Sequence, residues 1–69
     1  MKTLAAEIIS KDKKQIIGIF YSEENCKPVW GYKNADSNEL HTGTGGFNKT
    51  IREACEHFNI ESYEIDYKI

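Results

Sequence analysis

Residues 43–50, GTGGFNKT, nearly match the G-x-x-x-x-G-K-[ST] loop that holds nucleotide phosphates. Asn48 stands where that loop needs its second glycine, so a side chain would intrude where the backbone must approach the phosphates. The loop also needs a parallel sheet and an aspartate that binds magnesium on another strand. A chain of 69 residues with hairpin-style connections is too short to supply them, so a nucleotide hydrolase is not expected.

The same glycine-rich segment could bind an anion without any nucleotide chemistry. Glycine N–H groups, the start of a helix and two basic side chains together suit a phosphate or a carboxylate. The candidate anion-binding residues are Thr44, Gly45, Gly46, Lys49 and Arg52. The plainer alternative is that Thr44, Asn48 or Thr50 caps the first helical turn, because Thr50 and Glu53 have the spacing of a capping box.

Two cysteines and two histidines could in principle form a closed zinc site: Cys26, His41, Cys55 and His57. Cys55 and His57, however, are two positions apart on a predicted helix and point in different directions. Cys26 beside Lys27 could be a reactive thiol with His41 as its base, but no third orienting group or cleft is visible. We therefore predict no catalytic residue, no metal ligand and no cofactor.

The charge and hydropathy of the chain argue against several classes of function. A net charge of -2 and an isoelectric point near 5.6 give no basic excess for a nucleic acid or an anionic membrane. The start, MKTLAAEII, resembles a signal peptide, but Glu7 interrupts its apolar stretch, so we interpret it as a strand and expect a cytoplasmic protein. No run approaches the roughly 18 apolar residues of a membrane span, and we expect no membrane association.

Apolar periodicity predicts three strands in the first half of the chain, at residues 3–9, 15–21 and 29–33. In the first strand, Leu4, Ala6 and Ile8 share one face. The second strand is apolar on both faces, as expected of a central strand, with Ile17, Ile19 and Tyr21 on one side and Ile16, Gly18 and Phe20 on the other. In the third strand, Gly31 indicates a bulge or the close approach of another backbone. Residues 34–46 could contain a short strand through 39–41 or form one long loop.

From Phe47 the apolar period changes to that of a helix, with Ile51, Ala54, Cys55 and Phe58 on one face. Asn59 can adopt the left-handed conformation that ends helices, with Ile60 packing back on the last turn. Residues 62–69 then alternate as a strand, with the side chains of Tyr63, Ile65, Tyr67 and Ile69 on one face.

These elements predict an α+β fold: a small antiparallel or mixed β-sheet of three to five strands with one α-helix packed on one face. The element order is β-β-β-(β)-α-β, and the whole chain, 1–69, forms a single domain. A domain this small buries too little surface to enclose a deep catalytic cavity.

Recognition by the exterior is the remaining mode of action, so we expect a non-enzymatic interaction module that regulates or inhibits a larger protein. One helix covers one sheet face, which leaves aromatic side chains for a protein partner or a second copy of the chain. The candidate partner-binding residues are Phe20, Trp30, Tyr32, Tyr63 and Tyr67. These rings could instead complete the core. Nucleic acid is the less favoured partner, because Glu64 and Asp66 would repel phosphates.

Overall fold

The computed structural model describes residues 2–68 and shows a five-stranded antiparallel sheet with one helix on one face. The elements are β1 (Thr3–Ser10), β2 (Ile16–Glu24), β3 (Lys27–Asn34), β4 (His41–Thr42), α1 (Phe47–His57) and β5 (Tyr63–Tyr67). The strand order is β4-β3-β2-β1-β5. The α+β prediction is confirmed, and the optional fourth strand exists as two residues. Ile69, which the alternation places on the same strand face as Tyr63, lies outside the described residues.

The core lies between the sheet and α1, where the alternation of β2 places Ile17 and Ile19. Both side chains are fully buried, and Ile51 and Ala54 of the helix contribute to the same cluster. The central position predicted for β2 is confirmed by its pairing with β1 on one side and β3 on the other. Apolar burial of this kind is the main stabilising contribution in so small a chain.

A bulge in β1 corrects the predicted face of Leu4. Leu4 pairs with Phe20 but Ala6 pairs with Ile19, so one extra residue, Ala5, lies between two consecutive partners on β2. Because side chains alternate along a strand, the extra residue moves Leu4 to the face opposite Ala6. The sequence showed a plain alternation there, and the bulge becomes visible only through the pairing with β2.

The β2–β3 connection is a two-residue turn at Asn25 and Cys26, with φ angles of 52° and 63°. Two consecutive positive φ values are the signature of the tight hairpin turn that usually carries Asn-Gly. The sequence has Asn25 but lacks the glycine, and the strands predicted at 15–21 and 29–33 leave a longer loop between them. The structure extends both strands into that loop. Pro28 is accommodated in β3 because β4 pairs only with Gly31 and Tyr32, so the outer side of β3 has no strand partner at Pro28.

Replacing Cys26 by glycine is expected to stabilise the protein by about 0.5 to 1 kcal/mol, because glycine adopts positive φ without a steric cost. The midpoint of urea unfolding reports the change. Lys27→Gly is the matched control, since Lys27 is in the strand and has no positive φ. It should destabilise by about the same amount. A loss of stability in both variants would contradict the turn geometry.

The helix ends as the sequence predicts. Asn59 has a φ of 56°. The N–H of Ile60 donates to the carbonyl of Cys55 at 2.9 Å, and the N–H of Asn59 donates to the carbonyl of Glu56. These two bonds define a Schellman motif, in which the residue after the left-handed position packs back on the helix. Ile60 is buried in the core, so the motif also sets the direction in which the chain enters β5.

Candidate functional site

The five aromatic residues predicted to bind a partner do not form one surface. Phe20 lies on the sheet face opposite the helix, whereas Trp30, Tyr32, Tyr63 and Tyr67 lie on the face that carries it. Trp30 and Tyr67 are connected through Phe47, with ring centroids 5.2 Å and 6.2 Å from the Phe47 ring. Tyr67 is 65% exposed at the edge strand, and Tyr63 pairs with Ser10 at the opposite end of β5.

Tyr32 is only 8% exposed and belongs to the core, which is the alternative that the sequence left open for these rings. Its ring stacks on His41 at 5.1 Å, and the His41 ring lies 4.3 Å from that of His57. No pattern in the sequence indicates this histidine contact, which depends on where β4 and the end of α1 meet. Among residues 2–68, no group of three or more Cys, His, Asp or Glu side chains is arranged to hold a metal ion.

The glycine-rich segment before α1 is bound by a carboxylate from the same chain. The backbone N–H of Thr44 donates to Glu53 Oε1 at 3.0 Å, and the Thr44 hydroxyl donates to Glu53 Oε2 at 2.8 Å. The pKa of the Glu53 carboxyl lies below its ordinary value of 4.5. The largest cause is the hydrogen bond from the Thr44 backbone, followed by the bond from the Thr44 hydroxyl, and the positive charge of Lys49 adds to the effect. Thr44 therefore already binds an anion, supplied by the helix itself.

The predicted capping box is wrong. Gly46 is the N-cap of α1 and has no side-chain cap, while the hydroxyl of Thr50 donates back to the carbonyl of Gly46 at 2.9 Å. Thr50 is fully buried, so its hydroxyl must be satisfied locally. Lys49 lies over Gly45, and Arg52 is exposed on the helix.

Glu53→Gln is expected to lower stability at pH 7, because a neutral amide holds the two Thr44 donors less strongly than a carboxylate does. The wild-type contribution is present above the ordinary pKa of 4.5 that the unfolded chain has, and it is lost as the pH falls through the lower folded pKa. Urea unfolding between pH 7 and pH 3 measures it. Glu53→Gln should flatten this part of the profile, whereas Glu56→Gln, exposed on the same helix, should not. Equal profiles for the two variants would contradict the contact.

The sheet face opposite α1 carries a group of apolar side chains that no helix or strand of residues 2–68 covers. We call it the open face, and its apolar members are Leu4, Ile9, Ile16, Phe20, Val29 and Leu40. Five of them are half-buried, and Ile16 is 39% exposed. Of this set, only Phe20 is among the partner-binding residues predicted from the sequence. The two-sided apolar pattern of β2, combined with a single helix, was also a signal for Ile16.

Two glycines shape the middle of the open face. Phe20 folds its ring over Gly18, where a Cβ would lie 2.9 Å from Phe20 Cε2 and 3.1 Å from Leu4 Cδ1. At Gly31, a Cβ would lie 2.8 Å from the carbonyl oxygen of His41, so the backbone of the neighbouring strand β4 comes very close to Gly31. This confirms the close approach that the sequence suggested for Gly31. A shallow concavity of about 80 Å³ lies beside them, between Phe20, Val29 and Leu40.

Charged side chains flank the apolar centre of the open face unevenly. Across one row of the sheet, Asp66 and Glu7 lie on one side of Gly18 and Lys33 lies on the other. Lys68 Nζ is 2.7 Å from Asp66 and 3.5 Å from Glu7, so this side keeps one net negative charge. Lys33 Nζ donates to the carbonyl of Ser37 and, within residues 2–68, has no carboxylate within ion-pair distance.

The helix described between residues 2 and 68 is neither long enough nor apolar enough to cross a membrane. Comparisons with models of protein families, with curated proteins and with solved structures gave no match.

Proposed function

We propose that this chain is a small, non-enzymatic protein-interaction module that binds a partner through the open face and thereby regulates or inhibits it. The observation that carries the proposal is the apolar set around Phe20 and Ile16, half-buried to exposed on a sheet whose other face is already packed against α1. An exposed apolar patch rimmed by charges is typical of a protein-binding surface. The cytoplasm is the compartment we propose for it.

The open face is shaped for a protein partner rather than for a small molecule. The concavity at Phe20, about 80 Å³, is well below the several hundred cubic ångströms of a small-molecule site. A sheet face offers a broad and nearly flat surface instead, which suits a protein. Interfaces of this kind depend on a few central aromatic or aliphatic anchors, and Phe20 occupies that central position.

Anion or nucleic-acid binding at residues 43–52 has weaker support. Both donors of Thr44 are used by Glu53, and Lys49 packs along Gly45. An incoming phosphate would have to displace a carboxylate of the same molecule. Binding of a nucleic acid at this segment would also fall steeply with added salt, more steeply than binding through an interface with an apolar centre such as the open face.

The test is capture of a partner from the source cells with wild-type protein and with open-face variants. Phe20→Ser and Ile16→Ser should lose the captured protein, and Tyr67→Ser, a change at an exposed ring off the open face, should keep it. Circular dichroism establishes that each variant is folded. The captured protein, once purified, should perturb the amide resonances of β2 and β3 in the isotope-labelled chain.

Two outcomes would reject the proposal. One is a captured protein that folded Phe20→Ser and Ile16→Ser variants retain as well as the wild type does. The other is retention of nucleic acid alone, with an affinity that falls steeply between low and moderate salt and depends on Lys49 and Arg52.

A further inference from the structure

One row of charges across the centre of the open face is complementary to itself, because the Glu7 side keeps one net negative charge beside Lys68 and the Lys33 side is positive. Glu7 on β1 and Lys33 on β3 both pair with Gly18 on β2, from opposite sides. With neighbouring strands about 4.8 Å apart, their backbones are separated by about 10 Å across β2. The two charges lie at the same level along the strands and flank the central strand of the sheet.

We propose that a second copy of this chain occupies the open face, packed face to face about a two-fold axis that runs along β2 above Gly18. This inference rests on the proposed function of the open face as a binding surface. A two-fold axis in this direction exchanges the β1 and β3 sides, so Glu7 of one copy faces Lys33 of the other. The contact forms twice, as the symmetry of an isologous dimer requires.

The direction of the axis follows from the charges. An axis perpendicular to the strands through the same row would place Glu7 against its own counterpart and Lys33 against its own. Like charges placed opposite each other in an interface are strongly unfavourable. An axis along β2 also keeps the strands of the two sheets nearly aligned, which is a common way for sheets to pack face to face.

The apolar centre fits the same axis. The Phe20 ring lies over Gly18, the point through which the axis passes, so the two rings of a dimer meet at its centre. Leu4 Cδ1 is beside the same glycine and adds apolar contact around the rings. An aromatic anchor at the centre with charged pairs around it is the usual distribution of binding energy in an interface.

The area of the open face is sufficient for a weak dimer. The five strands have 8, 9, 8, 2 and 5 residues, and each strand residue covers about 3.3 Å by 4.8 Å, so the face measures about 500 Å². Two copies would remove about 1,000 Å² from water, the lower limit of specific interfaces. We therefore expect a dissociation constant in the micromolar range. Self-association also supplies burial that a chain of 69 residues lacks.

The experiment is sedimentation velocity of the full chain from 1 to 100 µM (about tenfold either side of a mid-micromolar constant). Wild type should dimerise reversibly. Lys33→Glu alone and Glu7→Lys alone should each weaken the dimer at least about tenfold, because each places like charges opposite each other twice. An equimolar mixture of these two variants should form a heterodimer close to wild type in affinity, since both contacts then pair opposite charges again. Phe20→Ser, checked for folding, should abolish association.

Recovery of dimer affinity in the mixture is the decisive result, because a general loss of stability in either variant could not restore association. A wild type that stays monomeric to 100 µM would overturn the second copy as occupant, and Phe20-dependent capture of another protein would then still support the binding face. A dimer insensitive to Phe20→Ser would overturn both proposals. A dimer that depends on Phe20 but shows no recovery in the mixture would overturn the proposed axis and its charge pairing.

Discussion

Replacing Ile17 by alanine is expected to destabilise the protein by about 3 kcal/mol, whereas Ile16→Ala should cost less than about 1 kcal/mol. The two residues are adjacent in β2, but Ile17 is fully buried beneath α1 and Ile16 is 39% exposed on the open face. Removal of three buried carbons leaves a cavity that the tightly packed core fills only in part. At the exposed position there is little packing to lose.

The measurement is urea unfolding followed by the fluorescence of Trp30, which is partly buried against the core. A chain of 69 residues has a total stability of about 3 to 10 kcal/mol, so Ile17→Ala could be largely unfolded even without urea. Ile17→Val, with an expected loss of about 1 kcal/mol, then provides the graded comparison. Protein concentrations below 1 µM keep the chain monomeric. Equal losses at both positions would contradict the assignment of the two faces.

Replacing Gly31 by alanine should destabilise the protein by about 2 kcal/mol, because the new methyl group would lie 2.8 Å from the backbone oxygen of His41. The oxygen belongs to β4, so the expected relief is a displacement of the whole edge strand. That movement would also disturb the stacking of His41 on Tyr32. Gly31→Ala should therefore loosen this edge as well as lower the midpoint of unfolding.

Gly18→Ala is the matched control for this prediction. Its methyl group would meet only the ends of the Phe20 and Leu4 side chains, which can rotate away, so the expected loss is less than about 1 kcal/mol. Hydrogen exchange of the β4 amides distinguishes the variants, because only Gly31→Ala should raise exchange there selectively. A larger effect at Gly18 than at Gly31 would contradict the close approach of β4.

The features that the sequence revealed are those encoded by neighbours along the chain. The helix period from Phe47 to Phe58, the alternation in β5 and the left-handed Asn59 each depend on a few consecutive residues. The bulge at Ala5 depends on pairing with β2 instead, and an alternating sequence carries no sign of it. The turn at Asn25 was hidden because cysteine occupies the position where glycine is usual.

The candidate site was partly predictable for the same reason. A second strand that is apolar on both faces, together with one helix, already indicates an uncovered sheet face, and Phe20 was named on that ground. Leu4 was placed on the wrong face by the hidden bulge, and Leu40 approaches only because β4 pairs beside Gly31. Glu7, Gly18 and Lys33 lie in one row because of the register in which the strands pair. The apolar periodicity of a single sequence does not reveal that register.

A spin label on the β2–β3 hairpin turn can measure the distance between two associated copies and so distinguish the possible axes. Cys26 is exposed at its tip, while burial raises the pKa of the Cys55 thiol, so a spin label reacts preferentially at the tip. Rotation about an axis along β2 leaves both tips at the same end, within about 20 Å of each other, whereas a perpendicular axis would separate them by more than about 40 Å. One interspin distance, recorded with Cys55→Ser to remove the second thiol, thus reads out the relative orientation of two copies.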